Sequence, residues 1–369
     1  MKKLFTVSLL LSVFIPFWDL NAQDFSVRCD DGTQMYFNVI NFQDEGNFVE
    51  VTYKGSAFSP DLNAYKGVVV IPSSVTSDGV TYEVARIGQK AFAGSEGLVK
   101  VVMADGIRTI DEFAFDGCEK LECVVFPANQ VEIKEGAFFR CPSINKVVYG
   151  NDWTVINFNV FKWSRQLTHV EIPAMVGNIQ NTSLLRYLQH IEVAKANRKF
   201  ASVDGVLYNK RRTVLYECPL AYSTELKIDT CAAEIFPGAL KDCHLLPSVV
   251  FPASIKSVSP DVLAGTDSLK SITFTSDVLP MVTSRMNGKQ VFAISHPNAK
   301  NIKVYVPSKL VKHYKRGMKW GVFNNLEDLK EDGNITEYRG DRLIPKKNIK
   351  KIQVPKKPKT RNKQIVTTL

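Results

Sequence analysis

The residues best suited to nucleophilic or metal chemistry are five histidines (His169, His190, His244, His296 and His313) and seven cysteines. No two histidines have the H-E-x-x-H spacing that turns both imidazoles to one helical face around zinc. No cysteines have the C-x-x-C spacing of a zinc or redox pair; Cys118 and Cys123 are five apart and suit neither. A phosphate loop, a G-x-G-x-x-G turn and a G-x-S-x-G elbow are all missing from the sequence. Acid pairs such as Asp30–Asp31 and Asp111–Glu112 lie in turn-like sequence, and nothing in their spacing supplies an opposing carboxylate. Cys243 and His244 are neighbours in the chain, and neighbouring side chains generally point apart. The expectation is a protein that is not an enzyme, with no catalytic residue, cofactor or metal, leaving binding as the chemistry to look for.

The elements that would position a binding surface follow from a period of 23 residues. Phe92, Phe115, Phe138 and Phe161 recur at that step, and Leu184 falls one step further on. Five residues ahead stand Ile87, Ile110, Ile133, Ile156 and Ile179; six residues after come Leu98, Leu121, Ile144 and Leu167. The phase returns at Leu240 and Leu263, with Ile235 and Val258 before them and Leu246 and Leu269 after. Self-similarity of this kind is the mark of stacked coils, each burying its apolar face only against its neighbours. Within a unit, Leu121-x-x-Val124-x-Phe126-Pro127 reads as a short strand, ended by a proline that cannot extend a ladder. Equivalent strands are expected at Leu98–Met103, Ile144–Tyr149, Leu167–Ile172, Leu246–Phe251 and Leu269–Phe274. The Ile-x-x-x-Ala-Phe portion reads as a tight or single helical turn that drives its aromatic inward.

The units I-x-x-x-A-F-x-x-C-x-x-L-x-x-V-x-F-P, as in Ile110–Pro127, resemble the BspA-type leucine-rich repeats of bacterial surface proteins, over roughly residues 67–306. The resemblance implies a β-rich leucine-rich-repeat solenoid with short helical turns. In that family the position three after the Phe is small or Cys, matching Ser95, Cys118, Cys141, Ser164, Cys243 and Thr266 here. These cysteines are therefore expected to be buried, inert fillers. Leu184 to Leu240 is ten residues too long for the register. Two alternating stretches around Asn209–Arg212 predict a β-hairpin insertion near 200–219. The unit at 172–193 is degenerate.

The ends read as caps. Residues 1–22 have Lys2 and Lys3, an apolar run to Trp18 interrupted by Pro16, and Ala22 at an expected cleavage point. This is the layout of a signal peptide and too short a run for a membrane span. Export follows, to the cell surface or medium, with the periplasm left open. Residues 23–66 predict a β-meander N-cap with turns at Asp31-Gly32 and Glu45-Gly46. Residues 307–330 predict a short α C-cap, with Ser308 as N-cap ahead of Leu310, Val311, Tyr314 and Met318. Residues 331–369 predict a basic disordered tail.

The net charge of +10 is concentrated in that tail: residues 339–369 carry eleven Lys and Arg against Asp341 alone. The body is close to neutral, so the charge is no sign of a nucleic-acid partner; for an exported chain only extracellular DNA would remain. The tail reads either as a solvated extension or as an electrostatic anchor to an anionic surface.

Strand alternation places two outward rows on the expected sheet. One is Lys100, Cys123, Lys146 and His169; the other is Val102, Val125, Val148 and Glu171. Three exposed valines flanked by lysines make a candidate binding face for a protein or glycan, although valine also suits any pleated surface. The resemblance implies adhesion to host or bacterial surface molecules. A structural envelope role, with retention by the tail, stands as the alternative.

Overall fold

Each repeat unit contributes strands to two different parallel ladders, one on either side of a shared apolar interior. The computed structural model describes residues 23–41, 46–55, 58–59, 65–276, 280–282, 284–286, 289–291 and 296–307, together with strands at 325–328, 337–339 and 342–344. The long ladder begins with Lys66–Ile71, Gly97–Met103, Cys123–Val125 and Lys146–Val148, all parallel and in chain order. His169–Ile172 and His190–Val193 form the next pair. The ladder resumes with Leu226–Lys227, Ser248–Phe251, Ser271–Phe274, Lys303–Val306 and Asn325–Asp328. Prolines 72, 127, 173, 252 and 307 each follow a strand or its last apolar residue, where their missing N–H removes no ladder bond.

The second ladder is built from the isoleucine positions, where a tight or single helical turn was expected. Val80–Ile87, Thr109–Ile110 and Glu132–Ile133 pair in parallel, as do Val155–Asn157 with Asn178–Gln180 and Val214–Glu217 with Glu234–Ile235. Most of these strands are two or three residues long, too short for alternation to show in sequence. The N-terminal strands Phe25–Arg28, Gln34–Ile40 and Phe48–Thr52 form an antiparallel meander. It joins the second ladder by laying Phe48–Thr52 parallel to Val80–Ile87.

Between the ladders runs a column of rings. Tyr65, Phe92, Phe115, Phe138 and Phe161 stack with successive centroid separations of 4.5, 4.9, 5.0 and 5.1 Å. All six small repeat positions from Ser95 to Thr266 are buried. The Cys118 thiol donates to the Phe92 carbonyl at 3.2 Å and the Cys141 thiol to the Phe115 carbonyl at 3.0 Å, so each satisfies the coil before it. The neighbouring Cys141 side chain, together with burial, holds the Cys118 thiol well above its usual range, protonated and unreactive.

The turns repeat a backbone constraint as well. Lys90, Phe113 and Gly136 occupy the same place in successive units with φ of 58°, 58° and 72°, a left-handed region that only glycine enters cheaply. A side chain at Gly136 would put a Cβ 2.9 Å from the Phe113 ring, so packing against that ring favours glycine there, although Lys90 and Phe113 adopt the same backbone region with side chains.

The insertion differs from the expected single hairpin. Phe200–Val203, Val206–Asn209 and Val214–Glu217 form a three-stranded antiparallel meander. Asp204 and Gly205 are the two-residue turn between the first two, both at positive φ (51° and 82°), besides the turn expected around Asn209–Arg212. Asp-Gly flanked by apolar residues is a turn signal of the mirror-image type that matches strand twist. At this meander the interior divides into two apolar clusters, one ending at Leu207 and the other beginning at Val206. Leu184, expected at the buried Phe position, is 37% exposed, and Leu185 is buried in its place.

Among the described residues there is no α-helix, only three short 3₁₀ turns. The segment 308–324 expected to carry the C-terminal helix lies outside the described residues, but Asn325–Asp328, inside the expected cap, is a strand parallel to Lys303–Val306. That strand extends the long ladder by one member. In the basic tail, Glu337–Arg339 and Arg342–Ile344 pair as a short antiparallel hairpin. The rest of that tail and residues 1–22 lie outside the described residues.

Candidate binding surfaces

Parallel pairing in exact 23-residue register is what builds the outward rows, because each strand presents the same repeat position at the same height. Lys100, Cys123 and Lys146 align across three strands, as do Val102, Val125 and Val148. The structure extends both rows by one strand that sequence reasoning left out: Val68 aligns with Lys100, and Val70 with Val102. These two are 55% and 40% exposed, against 37% for Val148. The available signal was Gly67-Val-Val-Val-Ile-Pro72, which ends as the Val-Val-Phe-Pro strands do. The edge of this face is finished by Asp31, whose carboxylate accepts the Val70 N–H at 3.0 Å. Burial works against the Asp31 charge, but the N–H groups of Val70 and Thr33 outweigh it and hold the carboxyl below its usual range.

His169 and Glu171 do not share the valine sheet. They belong to the next two-stranded ladder, opposite His190 and Glu192. The two imidazoles stack at 5.3 Å, and the Thr168 hydroxyl lies 2.9 Å from His169 Nδ1. The face therefore changes from valine and lysine to histidine and glutamate within one repeat. Cys123, half-buried, is in reach of solvent at its centre.

A second feature lies where the repeat is irregular. Among the described residues no backbone pairing joins Asn178–Gln180 to Val214–Glu217, so the second ladder is interrupted there. The gap is a cleft of about 280 Å³ lined by Asn178, Thr182, Phe200, Tyr216, Glu217 and Phe236. Tyr216 meets Phe200 edge-to-face at 5.9 Å and Phe236 edge-to-face at 5.7 Å, and Phe236 is 50% exposed. Burial pushes the Glu217 carboxyl up to about 7, against a weaker opposing hydrogen bond from Thr182. The Lys199 ammonium, at the rim, donates to the Gly177 carbonyl and lies 5.6 Å from the centre of the Phe200 ring.

Glu217 makes a testable contribution to stability. Its folded-state value of about 7 exceeds the ordinary 4.5, so the unfolded chain loses this proton first as pH rises. Stability therefore falls between about pH 4.5 and 7 and levels off above. Glu217→Gln should match the parent protein at pH 5 and exceed it by about 2 kcal/mol at pH 8, measured by urea denaturation at both pH values. Equal pH dependence in the two proteins would show that Glu217 is not the group responsible.

Among the described residues no His, Cys, Asp and Glu side chains cluster as a metal site, and no helix is long and apolar enough to cross a membrane. Residues 71–192 and 209–289 match the BspA type leucine rich repeat region in six copies. The stretch between the matches, 193–208, covers the first strand of the inserted meander and all but the last residue of the second. Among solved structures the chain is similar to the pneumococcal vaccine antigen PcpA, at 16% identity over 84% of this chain and 99% of that one, with a TM-score of 0.42. It is also similar to a leucine rich cell surface protein of Faecalibacterium prausnitzii A2-165, at 19% identity over 84% and 96%, TM-score 0.34. A third is the leucine-rich repeat protein of T. pallidum, at 22% identity over 64% and 87%, TM-score 0.36. No curated protein matches the chain. With more than half its length in the repeat match, its coils in 23-residue register and its small repeat positions buried, the chain belongs to the BspA-type leucine-rich-repeat proteins.

Proposed function

We propose that this chain is an exported, non-enzymatic binding protein that recognises a macromolecular ligand at the cell surface through the outward face of its long ladder. The observation that carries this reading is the row Val70, Val102, Val125 and Val148, four valines in register with exposed or half-exposed side chains. A flat β-surface displaying apolar groups beside Lys100 and Lys146 offers area for a protein or glycan without any single deep pocket. Adhesion to host or bacterial surface molecules fits such a face, and membership of this family supports it.

Val125→Lys should leave the melting temperature within a few degrees of the parent, as surface substitutions do, while reducing capture of matrix or envelope components at least tenfold. Undiminished capture would remove the valine face from the account. The charge of residues 339–369 favours a second reading, in which the chain is an envelope component held by its tail. Retention that disappears with added salt and on deletion of 339–369, yet survives Val125→Lys, would establish that reading instead.

A further inference from the structure

The interrupted stretch of the second ladder holds a carboxyl that the repeat does not call for. Glu217 sits on the strand Val214–Glu217, aligned with Leu207, and lines a cleft whose other walls are the rings of Phe200, Tyr216 and Phe236. Among the described residues Glu217 forms no ion pair, and Thr182 lines the same cleft. A half-buried carboxylate without a counter-cation, in a cleft bordered by edge-to-face rings of which Phe236 is half exposed, is the complement of a small organic cation.

We propose that this cleft is a binding site for a primary ammonium group, such as the end of a lysine-type side chain or an alkylamine. The ammonium would sit against the Glu217 carboxylate, with its alkyl stem on Tyr216 and Phe236. Besides Glu217, the polar and aromatic groups lining the cleft are Asn178, Thr182, Lys199, Phe200, Tyr216 and Phe236. Of these, Lys199 carries a charge at neutral pH. It is exposed and engaged by Gly177, so solvent screens it from an enclosed cation more than it screens Glu217. The site is separate from the valine face and does not depend on that face's function.

Affinity should rise with pH, because the cation binds the ionised carboxyl. With Glu217 titrating at about 7, roughly one molecule in ten is ionised at pH 6, so binding should be about tenfold weaker there than at pH 8.5. The experiment titrates the full chain with n-butylammonium chloride at both pH values, by calorimetry and tyrosine fluorescence. The neutral alcohol n-pentanol, one methylene longer, and a set of neutral monosaccharides serve as parallel probes.

The expected result is saturable amine binding at pH 8.5, weakened tenfold at pH 6, abolished in Glu217→Gln and weakened several-fold in Phe236→Ala. Binding should persist in Val125→Lys, which separates this site from the sheet face. Glu217→Gln relieves the cost of enclosing a charge, so loss of binding in a folded, equally or more stable variant cannot come from misfolding. Absence of amine binding, amine binding that ignores pH or Glu217→Gln, or equal binding of n-pentanol or a monosaccharide would each overturn the proposal.

Discussion

Truncating Phe115 to alanine is expected to lower stability by about 3–5 kcal/mol, the range for removing a large aromatic from a packed core. Phe115 has no exposed surface. Its ring lies 4.9 Å from Phe92 and 5.0 Å from Phe138, with interplanar angles of 7° and 2°. The void cannot close by moving the chain, because its backbone N–H bonds the Ala137 carbonyl and its carbonyl accepts the Cys141 thiol. In a solenoid a coil is stabilised mainly by the interfaces on either side, and this substitution weakens both. Hydrogen exchange should therefore quicken across the units from Phe92 to Phe161, while those after Val206, in the other cluster, keep their protection. Urea denaturation checks the total, and a loss below about 1 kcal/mol would falsify the stacked-ring account of the interior.

Asn197→Ala should cost a similar amount, about 3–5 kcal/mol, for a different reason. Asn197 is fully buried beside the irregular unit. Its amide donates to the carbonyls of Pro173 (2.8 Å) and Val176 (2.9 Å), and its oxygen accepts the N–H groups of Lys199 (2.9 Å) and Phe200 (2.8 Å). Alanine leaves four backbone groups without this partner in a space too enclosed for easy hydration; each such orphan costs about 1–3 kcal/mol, partly recovered by relaxation. Asn197→Asp is the discriminating variant, since it keeps the acceptor but turns a second oxygen toward two carbonyls. It should be no better than alanine in a thermal melt at neutral pH. If the aspartate variant melts like the parent, the donor half of the clamp contributes little.

Phe115 and Asn197 also mark the limit of what could be read without coordinates. Phe115 stands in a series of four phenylalanines at one spacing, so its burial follows from counting. Asn197 stands in no series, and nothing in the sequence Ala194-Lys-Ala-Asn197-Arg-Lys-Phe200 separates it from an ordinary turn residue. The Asp204-Gly205 turn lay between these cases: its signal was present, but the expected hairpin was centred on Asn209–Arg212 instead. Val68 and Val70 were similarly within reach, because their strand ends in the same proline as its neighbours.

The sequence by itself determined the repeat register, the inward and outward faces of the long strands, and the small buried place filled by Cys118 and Cys141. Each of those is a property of one unit, recurring every 23 residues and enforced by the same neighbour contacts in every coil. Only the tertiary structure decided that the isoleucine turns join a second ladder, that Leu185 replaces Leu184 in the interior, and that Glu217 lines one cleft with three rings. These depend on how an irregular unit and an inserted meander settle against regular coils. The cleft joins Asn178 to Phe236 through space, and a period read along the chain carries no information about residues that meet because the period failed.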